Sequence, residues 1–131
     1  MITSDSVELR VPADPAYLAV IRTAAAGLAA RLDLTLDEIE DLRIAVDEAC
    51  ALLLDQNRLP GASLTTVFTS HDGTLQVEVC GPARPLPDRT SFAWAVLEAL
   101  VGNVETGEST ASDGSVGSWI RLSRTSSRAI A

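Results

Sequence analysis

Two adjacent acids, Asp47 and Glu48, interrupt the otherwise apolar middle of residues 41–54. One interpretation of this pattern is a carboxylate at the mouth of a functional site. The alternative is a solvated rim beside a stripe of core residues, which is the usual fate of such acids. The stretch alone does not decide between the two, so the acids are candidates that the surrounding elements must test.

Three other residues could carry chemistry, namely Cys50, Cys80 and His71. The two cysteines lie in apolar contexts without CxxC spacing, which favours buried free thiols. His71 is the only histidine and it adjoins a turn, so the sequence gives no support for a metal site. We therefore expect no metal ligand set in this chain.

Composition limits the class of protein. At 131 residues, 47% hydrophobic and 21% charged, the chain is typical of one globular domain, which we expect over residues 1–125 with a tail at 126–131. The net charge of −8 argues against nucleic acid, and it points either to solubility or to a basic protein partner. No apolar run approaches the roughly 20 residues of a membrane span, and no signal-peptide pattern opens the chain, so we expect a cytoplasmic protein.

Capping residues mark the start of two helices. Asp14 stands before a proline and predicts a first helix that runs to about Leu32, with Tyr17 near its start and Arg22 off its apolar stripe. Residues 35–38 (TLDE) form a capping box, which predicts a second helix from about residue 36. A third helix is expected over about residues 90–101, with Phe92 on its apolar side.

Alternating and β-branched segments predict five strands, at about residues 7–11, 64–70, 75–79, 104–106 and 119–122. Asp72-Gly73 predicts a two-residue hairpin turn, whereas the Gly, Ser and Thr content of residues 108–117 predicts a mobile loop. The order of elements predicts an α+β two-layer sandwich, in which three helices cover one face of a mixed, mostly antiparallel sheet. Apolar periodicity predicts a core formed by Leu18, Ile21, Leu28, Ile39, Leu42, Val46, Leu53, Val77, Leu97 and Ile120.

This element order and three local stretches resemble the anti-sigma factor kinases of the RsbW type, which belong to the GHKL (Bergerat-fold) ATPase superfamily. The stretches are residues 11–17 (VPADPAY), 39–50 (IEDLRIAVDEAC) and 91–100 (SFAWAVLEAL). The resemblance covers nearly the whole chain, and it is greatest to the actinobacterial branch that holds stress-response or developmental sigma factors.

The resemblance also exposes departures at the nucleotide site. Glu48 matches a family Glu that resembles a catalytic base, but Leu52 stands where the family has the Asn that holds magnesium. Leucine offers no oxygen to a hard cation. An Asp that contacts adenine is replaced by Gly81, Ala83 follows in the same box, and the phosphate-binding glycine turn is replaced by residues 91–94, including Ser91 and Ala93. The resemblance therefore implies a retained fold without ATP or magnesium, and a vestigial role for Glu48.

The resemblance further implies a docking surface on the first helix and the neighbouring sheet edge. Arg22 matches a family position used in partner contact, and Tyr17 lies about one turn away; the alternative for Arg22 is a solvated arginine. The implied partners are an alternative sigma factor and a STAS-domain antagonist, and the chain could form a homodimer as family members commonly do. Three interpretations stay open: a non-catalytic anti-sigma factor, an active serine kinase that phosphorylates the antagonist, and an interaction module unrelated to sigma factors.

Overall fold

The structure is a computed structural model, and it describes residues 5–54, 61–82, 86–110, 114 and 116–128. Within these residues, three helices accompany five strands. In chain order they are β1 (Asp5–Pro12), α1 (Leu18–Ala30), α2 (Leu36–Leu53), β2 (Ser63–His71), β3 (Thr74–Gly81), α3 (Phe92–Leu100), β4 (Asn103–Thr110) and β5 (Val116–Thr125). A short 3-10 turn, Pro15–Tyr17, precedes α1.

The five strands form one sheet in the order β1-β2-β3-β5-β4, and every neighbouring pair is antiparallel. Alternate residues of β2, β3 and β5 are buried, because one face of the sheet packs against the helices. The predicted α+β architecture is confirmed, and the sheet, predicted to be mixed but mostly antiparallel, is antiparallel at every described strand pair.

Local signals explain how several elements begin. The Thr35 hydroxyl accepts from the Glu38 amide at 3.1 Å, and Glu38 accepts from the Thr35 amide at 2.8 Å, so the predicted capping box is confirmed. The side chain of Asp14 caps the 3-10 turn by accepting from Ala16. The hairpin turn between β2 and β3 is also confirmed: Asp72 and Gly73 have φ of 49° and 76°, which a two-residue turn of this type requires.

The core lies between the sheet and the helices. Of the ten residues predicted to form it, seven are fully buried and three, Leu18, Leu28 and Ile39, are half-buried against it. The largest buried side chain is Trp94, followed by Phe68, and neither was in the predicted set. Phe92 was expected on the apolar side of the third helix, but it is 82% exposed because the helix turns Trp94 inward instead.

Both ends of the segment 108–117, which was predicted to form a mobile loop, are strand instead. β4 extends to Thr110 and β5 begins at Val116, with these two residues paired in register, while residues 111–113 and 115 lie outside the described residues. Pairing with a long neighbouring strand overrides the weak strand propensity of Gly, Ser and Thr. The first helix also ends earlier than predicted, at Ala30, and its first turn is the 3-10 segment.

The C-terminal segment after β5 folds back onto the connection between α1 and α2. The Ser126 hydroxyl donates to the Asp33 carbonyl at 2.8 Å, and the Ser127 amide donates to Glu38 at 3.0 Å. Residues 126–128 of the predicted tail are therefore held against the domain. The helices in the described part of the chain are all too short or too polar to cross a membrane.

Candidate functional site

The contact between α1 and α2 carries the most informative polar pair of the helical layer. The Arg22 guanidinium lies 3.2 Å from the Asp47 carboxylate, and the two side chains are 36% and 38% exposed. Arg22 was predicted to be either solvated or partner-binding, and it forms an ion pair with Asp47 of the second helix. The fold therefore brings Arg22 next to Asp47 and Glu48, the adjacent acids noted in the sequence.

Glu48 lies on the outward side of α2, next to Asp47. It is exposed, and it makes no side-chain hydrogen bond or ion pair with any residue that the structure describes. One turn before it, Ile44 is also exposed, at 42%. The solvated-rim interpretation therefore fits Glu48, whereas Asp47 is engaged with Arg22.

Exposed apolar side chains occur on both helices, but only one lies on the face of the Arg22–Asp47 pair. Ile44 is 42% exposed and precedes Asp47 by one turn of α2. Tyr17, 43% exposed, belongs to the turn before α1, and Val20, 47% exposed, is two residues from Arg22 and therefore faces nearly the opposite side of α1. Sequence reasoning missed Val20 and Ile44, although both lie off the buried stripe of their helix, which is the signal that could have found them.

The structure shows how the residues that the resemblance assigned to a nucleotide site are packed. Leu52 is half-buried against the core. Gly81 is buried at the end of β3, and an added Cβ would lie 2.8 Å from both the Leu53 Cβ and the Leu53 carbonyl oxygen, and 2.7 Å from Leu64. An aspartate at position 81 has no room in this packing. Ala83 lies outside the described residues.

The start of α3 is held by its own side chains. Trp94 is buried and donates its indole N–H to the Pro87 carbonyl at 2.8 Å, while the Arg89 guanidinium stacks 4.9 Å from the Trp94 ring centre. Ser91 is the N-cap, but its side chain caps no backbone N–H, and Ala93 is half-buried. This turn is therefore braced by a tryptophan and an arginine where a phosphate-binding turn relies on glycine.

The loop before α3 is also ordered by Asp88. Its carboxylate accepts from the Thr90 amide and hydroxyl, both at 2.9 Å. These hydrogen bonds, the backbone one first, hold the pKa of Asp88 below its usual value. The Asp88 carboxylate and the Thr90 amide and hydroxyl are therefore engaged with each other, and they are not free to contact a ligand.

Neither cysteine is suited to nucleophilic chemistry. Burial, and then the charge of Asp47, raise the pKa of Cys50 to about 12. Burial, and then Glu78, also raise the pKa of Cys80. Both thiols are free as predicted, but only Cys50 is buried and Cys80 is half-buried; both stay protonated at neutral pH. In the described part of the chain, His, Cys, Asp and Glu form no group of three or more that could hold a metal ion.

The fold is an antiparallel sheet with three helices, in the order β-α-α-β-β-α-β-β. The family of histidine kinase-like ATPase domains matches residues 11–124, so the chain belongs to this family. The crystal structure of the RsbU and RsbW domains of Rv1364c from Mycobacterium tuberculosis superposes with a TM-score of 0.65 over 92% of this chain and 32% of that one. At 15% identity, this match supports the fold alone.

Curated relatives carry the RsbW name. The anti-sigma-F factor RsbW of Mycobacterium tuberculosis (strain CDC 1551 / Oshkosh) is 36% identical over 103 residues, which cover 77% of this chain and 61% of that protein. The serine-protein kinase RsbW of Bacillus subtilis (strain 168) is 53% identical over 47 residues, 36% of this chain and 29% of that protein. The chain thus spans less than two thirds of the length of these relatives, and its resemblance to the RsbW type is confirmed.

Proposed function

We propose that this chain is an anti-sigma factor that sequesters an alternative sigma factor and is released by a STAS-domain antagonist, without nucleotide-dependent kinase activity. The observation that carries the proposal is the 103-residue similarity to a protein named anti-sigma-F factor RsbW. The packed state of the nucleotide positions supports the second half of the proposal. A serine kinase is the alternative, favoured by the 47-residue similarity to a protein named serine-protein kinase RsbW.

Three features of the packing argue against ATP. Leu52 places a hydrocarbon where a magnesium ligand would need an oxygen. Gly81 has no space for the aspartate that the family uses to contact adenine. The turn before α3 is occupied by Trp94 and its partners. Restoring one element leaves the other two in place, so a single substitution should not recover binding.

Calorimetry with Mg-ATP tests the nucleotide half. We expect no heat of binding from the parent chain and none from Leu52→Asn, which restores only the magnesium ligand. Circular dichroism of Leu52→Asn checks that the variant is folded. A low-micromolar isotherm that Glu48→Ala abolishes would establish the kinase alternative instead.

The Arg22–Asp47 pair and the exposed Ile44 one turn before Asp47 support a docking surface on α1 and α2. The pair is partly exposed, so it can exchange an internal ion pair for one with a partner. The acids of α2 on this side are Asp47 and Glu40, and the whole chain carries a charge of −8. A basic patch on the sigma factor would therefore be attracted to these acids, while Arg22 would pair with an acidic side chain of the partner.

Arg22→Glu tests the docking surface. We expect it to weaken sigma-factor binding by more than about 1 kcal/mol, the level of an interface anchor. The melting temperature should change little, since an exposed ion pair contributes about 1 kcal/mol or less. The sigma factor is first recovered by pull-down from the native cell and then titrated, and light scattering of the free chain gives its oligomeric state.

Three variants serve as controls for Arg22→Glu. Arg128→Glu makes the same charge change beyond the far end of α1, beside Asp33, and should bind normally. The double variant Arg22→Asp with Asp47→Arg restores the ion pair in reverse, so it should recover stability but not binding. Glu48→Ala should bind normally. If Glu48→Ala binds poorly while Arg22→Glu binds well, the partner docks over the former nucleotide site; if no sigma factor binds at all, the chain is another kind of interaction module.

A further inference from the structure

A cavity of about 320 Å³ opens between the end of α1 and the start of β1, with Arg31 at its rim nine residues after Arg22 in the chain. Its walls are apolar and include Val7, Leu28, Leu32, Phe68 and Leu75. Leu75 and Gly81 are six residues apart on β3, which places the cavity and Gly81 about 20 Å apart along the strand. The volume is at the lower end of the roughly 300–1,000 Å³ that small-molecule sites occupy.

The cavity exists because the helical layer ends before the sheet does. Val7 pairs with Phe68, so it lies on the face of the sheet that the helices cover, yet it is 45% exposed. Helix α1 stops at Ala30, so the last side chains of the layer, Leu28 and Leu32, line the cavity instead of filling it. An apolar group that enters such a cavity buries apolar surface on both sides of the contact, which is favourable.

Two opposite charges line the same cavity. Asp5 contributes a carboxylate and Arg31 a guanidinium, and both residues are exposed. Neither side chain forms an ion pair or hydrogen bond with the other or with any other described residue. A carboxylic acid alone would be attracted by Arg31 and repelled by Asp5, and an amine alone would meet the reverse. Only a ligand that carries both charges beside an apolar group matches the whole lining.

We propose that this cavity binds a free α-amino acid with a branched aliphatic or aromatic side chain. The ligand carboxylate pairs with Arg31, its ammonium pairs with Asp5, and its side chain lies against Val7, Leu28 and Leu75. The cavity size suits one such molecule. This site is independent of the proposed sigma-factor interface, so the two proposals succeed or fail separately.

Titration of the full chain with L-leucine and with L-phenylalanine, followed by NMR chemical shifts, tests the site. We expect saturable binding of at least one of them, with shifts confined to the cavity residues. Three comparators each lack one feature: glycine lacks the side chain, 4-methylpentanoate lacks the ammonium, and 3-methylbutylamine lacks the carboxylate. Each comparator should bind at least about tenfold more weakly, because a charge-assisted contact or the apolar contact is lost.

Variants make the result specific to this cavity. Arg31→Gln and Asp5→Asn should each weaken binding at least about tenfold, because each removes one charged partner. Arg43→Gln removes an arginine that pairs with Glu40 elsewhere on the surface, and it should bind like the parent. Lack of saturation, equal binding of 4-methylpentanoate or glycine, or unchanged binding by Arg31→Gln would each overturn the proposal.

Discussion

The two ends of the sheet are closed in opposite ways. At the end where β3 finishes, Gly81 packs directly against Leu53 and Leu64, and there is no room for an extra Cβ. At the other end, the helices leave an open cavity beside β1, and the layer is held by a polar clasp around the buried carboxylate of Glu38. One end is sealed by apolar contact and the other is fastened by hydrogen bonds.

The polar clasp gathers three parts of the chain. Glu38 accepts from Thr35 in α2's own cap and from the amide and hydroxyl of Ser127, at 3.0 and 3.3 Å, and it lies 3.9 Å from Arg124. Arg124 also donates to the Leu100 carbonyl at 2.8 Å. The comparison teaches that the end of the sheet at Gly81 is closed by the shape of its apolar side chains, so its stability should be insensitive to pH. The clasped end depends on an ionised group.

The largest expected effect comes from truncating a buried side chain at the Gly81 end of the sheet. Leu53 is fully buried, so Leu53→Ala should lower the free energy of unfolding by about 2–5 kcal/mol through the cavity it leaves. Leu42→Ala, in the middle of the same buried face, should cost a similar amount. Leu28→Ala at the open end should cost about half as much or less, because Leu28 is already half-exposed beside a cavity. Urea unfolding of the three variants would contradict the comparison if Leu28→Ala were the most damaging.

Overfilling the apolar end is the next test. Gly81→Ala should cost about 1–3 kcal/mol, since the added methyl group meets the Leu53 backbone carbonyl, which cannot move without the helix end. Gly102→Ala is the matched control, because a Cβ there has nothing within 4 Å. If Gly81→Ala had the same melting temperature as the parent, position 81 would have room for a side chain. An aspartate could then fit at this position.

The third prediction concerns acid. Hydrogen bonds from Thr35, and then from Ser127, outweigh burial and lower the pKa of Glu38 below its usual value of 4.5. A group with a lowered pKa in the folded state stabilises the fold above its unfolded pKa, and the contribution is lost as the pH falls through the folded value. The parent's free energy of unfolding should therefore decline below about pH 4.5. Glu38 should account for the part of this decline that occurs at the lowest pH.

Glu38→Gln separates this contribution from the rest. At pH 7 the variant should lose on the order of 1–2 kcal/mol, because its amide cannot accept all the hydrogen bonds of the clasp. The difference in the free energy of unfolding between Glu38→Gln and the parent should shrink as the pH falls and Glu38 of the parent becomes protonated. A deficit that stays constant from pH 7 to pH 3 would show that the charge of Glu38 plays no part.

Local signals predicted the elements that depend on neighbours in sequence. The capping box at Thr35 and the hairpin at Asp72-Gly73 need only a few adjacent residues, and the structure has both as expected. The periodic stripe of α2 predicted its buried face for the same reason. These features specify most of the order of elements and the α+β class.

Features that depend on distant partners were not predictable in the same way. The long pairing of β4 with β5 is set by the register of Glu108 with Ser118 and by the contact of Trp119 with Gly107, which compensates for poor strand propensity. The bond from Arg22 to Asp47 needs the angle between two helices. The docking of Ser126 and Ser127 involves residues about 90 positions away, so composition suggested only a tail.

The smallest expected effect is at the edge of the clasp. The Arg128 guanidinium lies 2.6 Å from the Asp33 carboxylate, but the two side chains are 57% and 69% exposed. Water solvates both charges, and salt screens them, so Arg128→Gln should change the free energy of unfolding by about 0.5 kcal/mol or less. The difference between Arg128→Gln and the parent should disappear in 1 M salt, whereas the Glu38→Gln deficit should persist, because the buried hydrogen bonds of Glu38 are shielded from ions. Urea unfolding at low and high salt measures both. If Arg128→Gln cost as much as Glu38→Gln, the exposed ion pair and not the buried carboxylate would hold the C-terminal segment, and the clasp would have to be centred on Asp33.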